Sequence, residues 1–172
     1  MHAAKRNQDD PTERSARSTE EGPALRDAAD ILAREERKPG RLLGRLIDEA
    51  EAQAARERFQ VEPLPVIEPD EQIGPHLAAG EMVHDKRTGA TTKPPGGQDA
   101  LGYGGTLYLT SRRLVHMGQV FLTVMLADIV ETSLAGDRLL LSLRDGEGLT
   151  LDVEGPRLLR AHIAAAMQEL RG

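Results

Sequence analysis

From position 81 onward, apolar and polar side chains alternate in short runs separated by turn-forming residues. Successive side chains leave a strand on opposite faces, so such alternation marks half-buried β-strands. The runs predict strands over residues 81–86, 104–110, 113–117, 120–126, 129–134, 138–144 and 149–153. In the second of these, Leu107 and Leu109 point one way and Thr106, Tyr108 and Thr110 the other. In the fourth, Val120, Leu122, Val124 and Leu126 oppose Phe121, Thr123 and Met125. Ser111-Arg112, Gly118, Gly136-Asp137 and Asp145-Gly146-Glu147-Gly148 supply tight turns. Residues 87–103, with Pro94-Pro95-Gly96-Gly97, read as a long loop. Gly155-Pro156 then opens a closing helix, with Leu159, Ile163, Ala166, Met167 and Leu170 on one side.

The chain before position 81 has a different texture. Residues 1–22 are charged and polar, hold too little apolar surface to offset the entropy of ordering, and read as a disordered tail. Residues 23–60 read as a helical arm of two amphipathic helices hinged at Pro39-Gly40. The first carries Leu25, Ala28, Ala29 and Leu32 at helical spacing. The second carries Leu42, Leu43, Leu46, Ile47, Ala50 and Ala54 as one narrow apolar stripe. That stripe is expected to dock on the C-terminal domain or on the first helix, with self-association as the alternative. Pro63, Pro65, Pro69 and Pro75 favour extended backbone, so residues 61–75 read as a linker and residues 76–172 as the domain.

Composition sharpens this division. Residues 1–75 hold 12 Lys/Arg against 17 Asp/Glu, and residues 76–172 hold 10 against 11. Neither part has the basic character that draws a protein to nucleic acid or to an anionic bilayer, so no nucleic-acid partner is expected and membrane lipid is disfavoured. The absence of cysteine removes disulfides, zinc–thiolate sites and thiol chemistry. Met1 to Asp10 has no apolar core of a signal peptide, and the apolar run from Val120 to Val130 is interrupted by Thr123 and Asp128. These features predict a soluble cytoplasmic protein. Heavy use of Ala, Arg, Gly and Leu with one Asn, at position 7, has the flavour of a high-GC bacterial gene.

Glu81, followed by Gly105-Thr106-Leu107-Tyr108-Leu109-Thr110-Ser111-Arg112-Arg113-Leu114-Val115-His116, resembles the signature of GRAM and related bacterial pleckstrin-homology-like (PH-like) domains. Leu126-Ala127-Asp128-Ile129 is similar to the family's break before its fifth strand, and the helix after Pro156 to its closing helix. The likeness spans roughly residues 78–170. His116 departs from it, standing where the family commonly has an aromatic. The resemblance implies a mainly β (α+β) fold: a seven-stranded antiparallel sandwich or partly open barrel capped by the C-terminal helix. It also implies binding rather than catalysis. Thr110 and Ser111 can bond the turn they flank, and Arg113 can brace a neighbouring strand or loop.

Lipid-binding PH domains gather basic residues at the first hairpin, and Lys86, Arg87 and Lys93 are the basic residues of that region here. The acidic pair Asp145 and Glu147 on an adjacent turn would repel phosphate. Gly102-Tyr103-Gly104-Gly105 opens a strand rather than a helix and lacks a Gly-Lys-Ser/Thr sequel, so it is not a nucleotide loop. Histidines 2, 76, 84, 116 and 162 have no metal-ligand spacing, and Ser111 with His116 is no catalytic pair. No metal, no cofactor and no enzymatic activity are expected. The preferred reading is an adaptor module for another protein, with Leu42, Leu43, Leu46, Ile47 and Arg112 as candidate contacts and homo-oligomerisation through the N-terminal helices as a further possibility. The alternatives are an anionic-lipid binder using Lys86, Arg87 and Lys93, or a small-ligand or enzymatic role in a pocket.

Overall fold

A computed structural model of the chain describes residues 39–93 and 102–172. The expected helix around Leu25 and Leu32, the tail 1–22 and the turn-rich stretch 94–101 lie outside the described residues.

Seven strands form, all but the first close to where alternation predicts them: β1 Val83–Lys93, β2 Tyr103–Thr110, β3 Arg113–Gly118, β4 Phe121–Met125, β5 Ile129–Ala135, β6 Arg138–Leu143 and β7 Gly148–Asp152. All pairings are antiparallel, in the order β4-β3-β2-β1-β7-β6-β5, which leaves β4 and β5 at the two ends of the sheet. A C-terminal helix, α2 (Pro156–Arg171), closes the structure, and a long helix, α1 (Pro39–Arg58), packs against it. The result is mainly β and matches the PH-like arrangement expected.

β1 is longer than its pattern suggests. Residues 87–93, expected as loop, belong to the strand. Register shifts between Val83 and Asp85 and between Arg87 and Ala90, with Gly89 at φ +67°, bend it. The bend lets β1 pair with β2 along its length and with β7 through Thr91, Thr92 and Lys93. A bulge scrambles in–out alternation locally, which is why the sequence pattern stops at Lys86 while the strand continues.

Leu107, Leu109, Leu114, Val124, Leu126, Ile129, Leu139, Leu141, Leu149 and Leu151 fill the interior. Leu159, Ile163 and Ala166 of α2 cap it. Met167 is partly buried, but Leu170, expected on the buried stripe, is exposed beyond the edge of the core. A fully buried aliphatic side chain contributes ~1.5–3 kcal/mol, so the cap is a principal support of the fold.

The expected linker 61–75 instead lies on the protein. Ile73 is completely buried, Leu64 is nearly so, and Ile67 bridges Val83. With Leu77, residues Ile67 and Ile73 cover Val83, Tyr108, Val115 and Met117, a second apolar cluster apart from the interior. Leu64 N–H also donates to Glu169 Oε1 at 2.8 Å, tying this segment to α2. The backbone around Pro63, Pro65 and Pro69 forms no helix, but Pro75 lies within a 3-10 turn over Gly74–His76, and the apolar residues between the prolines fasten the segment to the sheet.

Candidate functional site

The signature residues prove to be one brace. Arg113 donates from Nε to Glu81 Oε1 at 2.8 Å and from a terminal nitrogen to Oε2 at 3.0 Å. Thr110 Oγ1 donates to Glu81 Oε1 at 2.6 Å, and Ala78 N–H to Oε2 at 2.9 Å. Thr110 Oγ1 in turn accepts the N–H groups of Arg112 and Arg113 across the β2–β3 turn. Burial pushes the Glu81 carboxyl upward, but the bonds from Arg113, Thr110 and Ala78 outweigh it and hold it below its ordinary value. This joins the chain before β1 to the β2–β3 hairpin. Its polar groups hold one another.

The three candidate phosphate-binding cations do not converge. Lys86 and Arg87 are successive residues on β1, so alternation sends them to opposite faces. Lys86 Nζ lies 2.7 Å from Asp70 Oδ2, and Tyr108 Oη donates to the same carboxylate at 2.9 Å. Lys86 thereby holds Asp70 well below the usual carboxylate range, with the Ile73 N–H assisting. Burial, then Asp70, pushes the Tyr108 phenol up to about 12. Arg87 binds Asp85 Oδ2 at 2.8 Å and Glu154 O at 3.0 Å. Asp85 Oδ2 also accepts from His162 Nδ1 at 2.8 Å, fastening β1 to α2. Lys93 ends β1 opposite Thr150, which sets the acidic β6–β7 turn at the same end of the sheet. Arg112, the candidate protein contact on the β2–β3 turn, donates to Ala79 O at 3.3 Å.

Against the domain, α1 docks with the side opposite the expected one; packing of its stripe on the first helix, the other expectation, falls outside the described residues. Leu42, Leu43, Leu46 and Ile47 are 53, 60, 60 and 51 % exposed, and Ala50 and Ala54 are exposed too. The docked side is Asp48, Ala52 and Ala55, with Phe59 against the His162 ring at 5.3 Å between centroids. Small side chains let the helices approach closely. Asp48 accepts the N–H groups of Arg157 and Leu158, each at 2.9 Å, and so caps α2 from outside. The ordinary capping position, Gly155, has no side chain to offer and sits at φ +62°. Only the tertiary fold joins positions 48 and 157, so no sequence signal short of the docked pair would have found this cap.

Along the free side of β4 runs a cavity of about 540 Å³. Leu122, Val124, Leu143 and Leu149 give it an apolar lining, and Asp128, Asp145 and Glu147 stand around it. Arg144, the cation of this lining, donates to Ala127 O at 3.0 Å. The acidic pair was legible in the sequence, but its position beside β4 depends on the strand order.

Among the described residues no three His, Asp or Glu side chains gather as a metal site, and no helix is long and apolar enough to cross a membrane. No protein-family model and no curated protein matches the chain. Among solved structures, it is similar to a Vps36 N-terminal PH domain at 19 % identity and TM-score 0.49, over 63 % of this chain and 96 % of that one. It is also similar to the C-terminal domain of an unknown protein from Leishmania infantum, at 12 % identity and TM-score 0.43, over 52 % and 87 %. Likeness of that degree says nothing here about binding or mechanism.

Proposed function

We propose that the chain is a non-enzymatic adaptor module that binds another protein through the outward ridge of α1. The observation that carries this is the exposure of Leu42, Leu43, Leu46 and Ile47 on a helix whose opposite side is fastened to α2. Single exposed aliphatic residues are ordinary, whereas four contiguous ones on a rigid helix form a patch of the kind that marks an interface. Ridge residues are bordered by Arg41, Arg45, Glu49 and Glu51, charges of both signs, so the fitting partner is an apolar, near-neutral protein surface. Covering each half-exposed leucine contributes ~1 kcal/mol. A non-enzymatic role is supported by the polar clusters at Glu81, Asp70, Asp85 and Asp48, whose groups are engaged within the fold. The GRAM-like motif agrees with a binding role. Anionic lipid is the weaker reading, because Lys86 and Arg87 are tied to Asp70 and Asp85 on opposite faces.

A photo-crosslinking side chain at position 43 of the full chain, expressed in its native cell, tests this. The captured protein, once purified, should bind the wild type and lose at least ~10-fold in affinity on Leu46→Asp, the equivalent of about 1.4 kcal/mol. Light scattering of the purified chain should give a monomer. A dimer that Leu46→Asp dissociates, or a cross-link from position 43 to residues 25–32 of the same chain, would overturn the proposal.

A further inference from the structure

We infer that the open side of β4 is a second, independent binding site, which takes an extended basic segment of a partner protein by strand addition. β4 ends the sheet and pairs with β3 alone. Leu126 N–H bonds Arg112 O at 2.9 Å, and the register pairs Val124 with Leu114 and Leu122 with His116. Antiparallel ladders alternate bonded and non-bonded pairs, so the backbone groups of Leu122 and Val124 serve β3. Those of Phe121, Thr123 and Met125 therefore point away from β3, toward the cavity side. Among the described residues they have no other backbone partner. Three donors and three acceptors at strand spacing form a template for an incoming strand.

The cavity gives that strand its side-chain chemistry. At about 540 Å³ it is the size of an ordinary ligand cleft (~300–1,000 Å³). Leu122, Val124, Leu143 and Leu149 suit alternate aliphatic residues of the segment. Asp128, Asp145 and Glu147 face its other residues with three negative charges, against one arginine already bonded to Ala127 O. Charge complementarity therefore selects lysine or arginine between the aliphatic positions and rejects acidic or phosphorylated segments. The site lies on the sheet, apart from the α1 ridge, so either can fail without the other.

The test is an NMR titration of the full chain with an acetylated, amidated octapeptide alternating lysine with valine and leucine. Expected are a Kd of ~10–100 µM and amide shifts at Phe121, Thr123, Met125 and residues 145–148. Asp128→Lys with Glu147→Lys, both exposed positions, should weaken binding at least ~10-fold. A peptide N-methylated at alternate residues, which removes its ladder donors, should not bind. The inference is overturned if the N-methylated peptide binds as well, leaving charge attraction alone, or if a glutamate-for-lysine peptide binds equally. Shifts that map elsewhere would overturn it too. Leu46→Asp should leave this binding unchanged, which separates it from the α1 ridge.

Discussion

Asp48 tests the fold most directly, because it joins two elements more than a hundred residues apart. Its side chain is 8 % exposed and accepts two N–H groups at 2.9 Å at the start of α2. Truncation in Asp48→Ala removes an N-cap, worth ~1 kcal/mol, and a negative charge at a helix N-terminus, worth ~0.3–1 kcal/mol. It also takes one carboxylate from the largely buried Arg157, which keeps Glu49 at 3.1 Å and Asp137 at 3.4 Å. The sum is about 2 kcal/mol, or ~4–8 °C in Tm for a chain of this size. Asp48→Asn retains an acceptor oxygen but not the charge, so about half the loss is expected. Urea unfolding followed by circular dichroism measures both variants. Hydrogen exchange at the Arg157 and Leu158 amides should quicken in Asp48→Ala. An Asp48→Ala protein within ~0.5 kcal/mol of wild type, or an Asp48→Asn as damaged as Asp48→Ala, would refute the reasoning.

Glu81→Ala leaves Arg113 without its buried partner and should cost ~3–5 kcal/mol by urea unfolding; a loss under 1 kcal/mol would disprove the brace. Glu81, Asp85 and Asp137 all have folded-state pKa values below their unfolded ones. Their stabilisation is therefore present above the ordinary carboxylate range and fades as pH falls through the folded values. Stability measured from pH 6 downward should drop, and drop less steeply in Glu81→Gln. A Cβ at Gly105 would collide with Met117 O and lie 2.8 Å from His116 Nε2, so Gly105→Ala should cost ~1–3 kcal/mol by thermal unfolding. Leu43→Asp with Leu46→Asp, on exposed positions, should move stability by no more than ~0.5 kcal/mol; a large loss would mean that the ridge is covered within the chain.

The β-strands could be read in the sequence because in–out alternation and turn chemistry are local properties. The motif Glu81, Thr110 and Arg113 was visible for the same reason, although which groups it joins was not. Tyr108 shows the limit: it alternates away from Leu107 and Leu109, a position that reads as solvent-facing. The segment carrying Ile67 and Ile73 covers that face, and proline spacing alone suggested only a free connection. α1 shows it again. Its leucine stripe predicted the docked face, yet two alanines and an aspartate make the contact, since close approach and two unsatisfied N–H groups matter more there than side-chain hydrophobicity. Local periodicity determined which stretches form strands and helices, except in the bulged half of β1. Which face meets which neighbour, where β4 is left open and what Asp48 caps were decided by the tertiary structure, because those contacts join positions with no local relation in the chain.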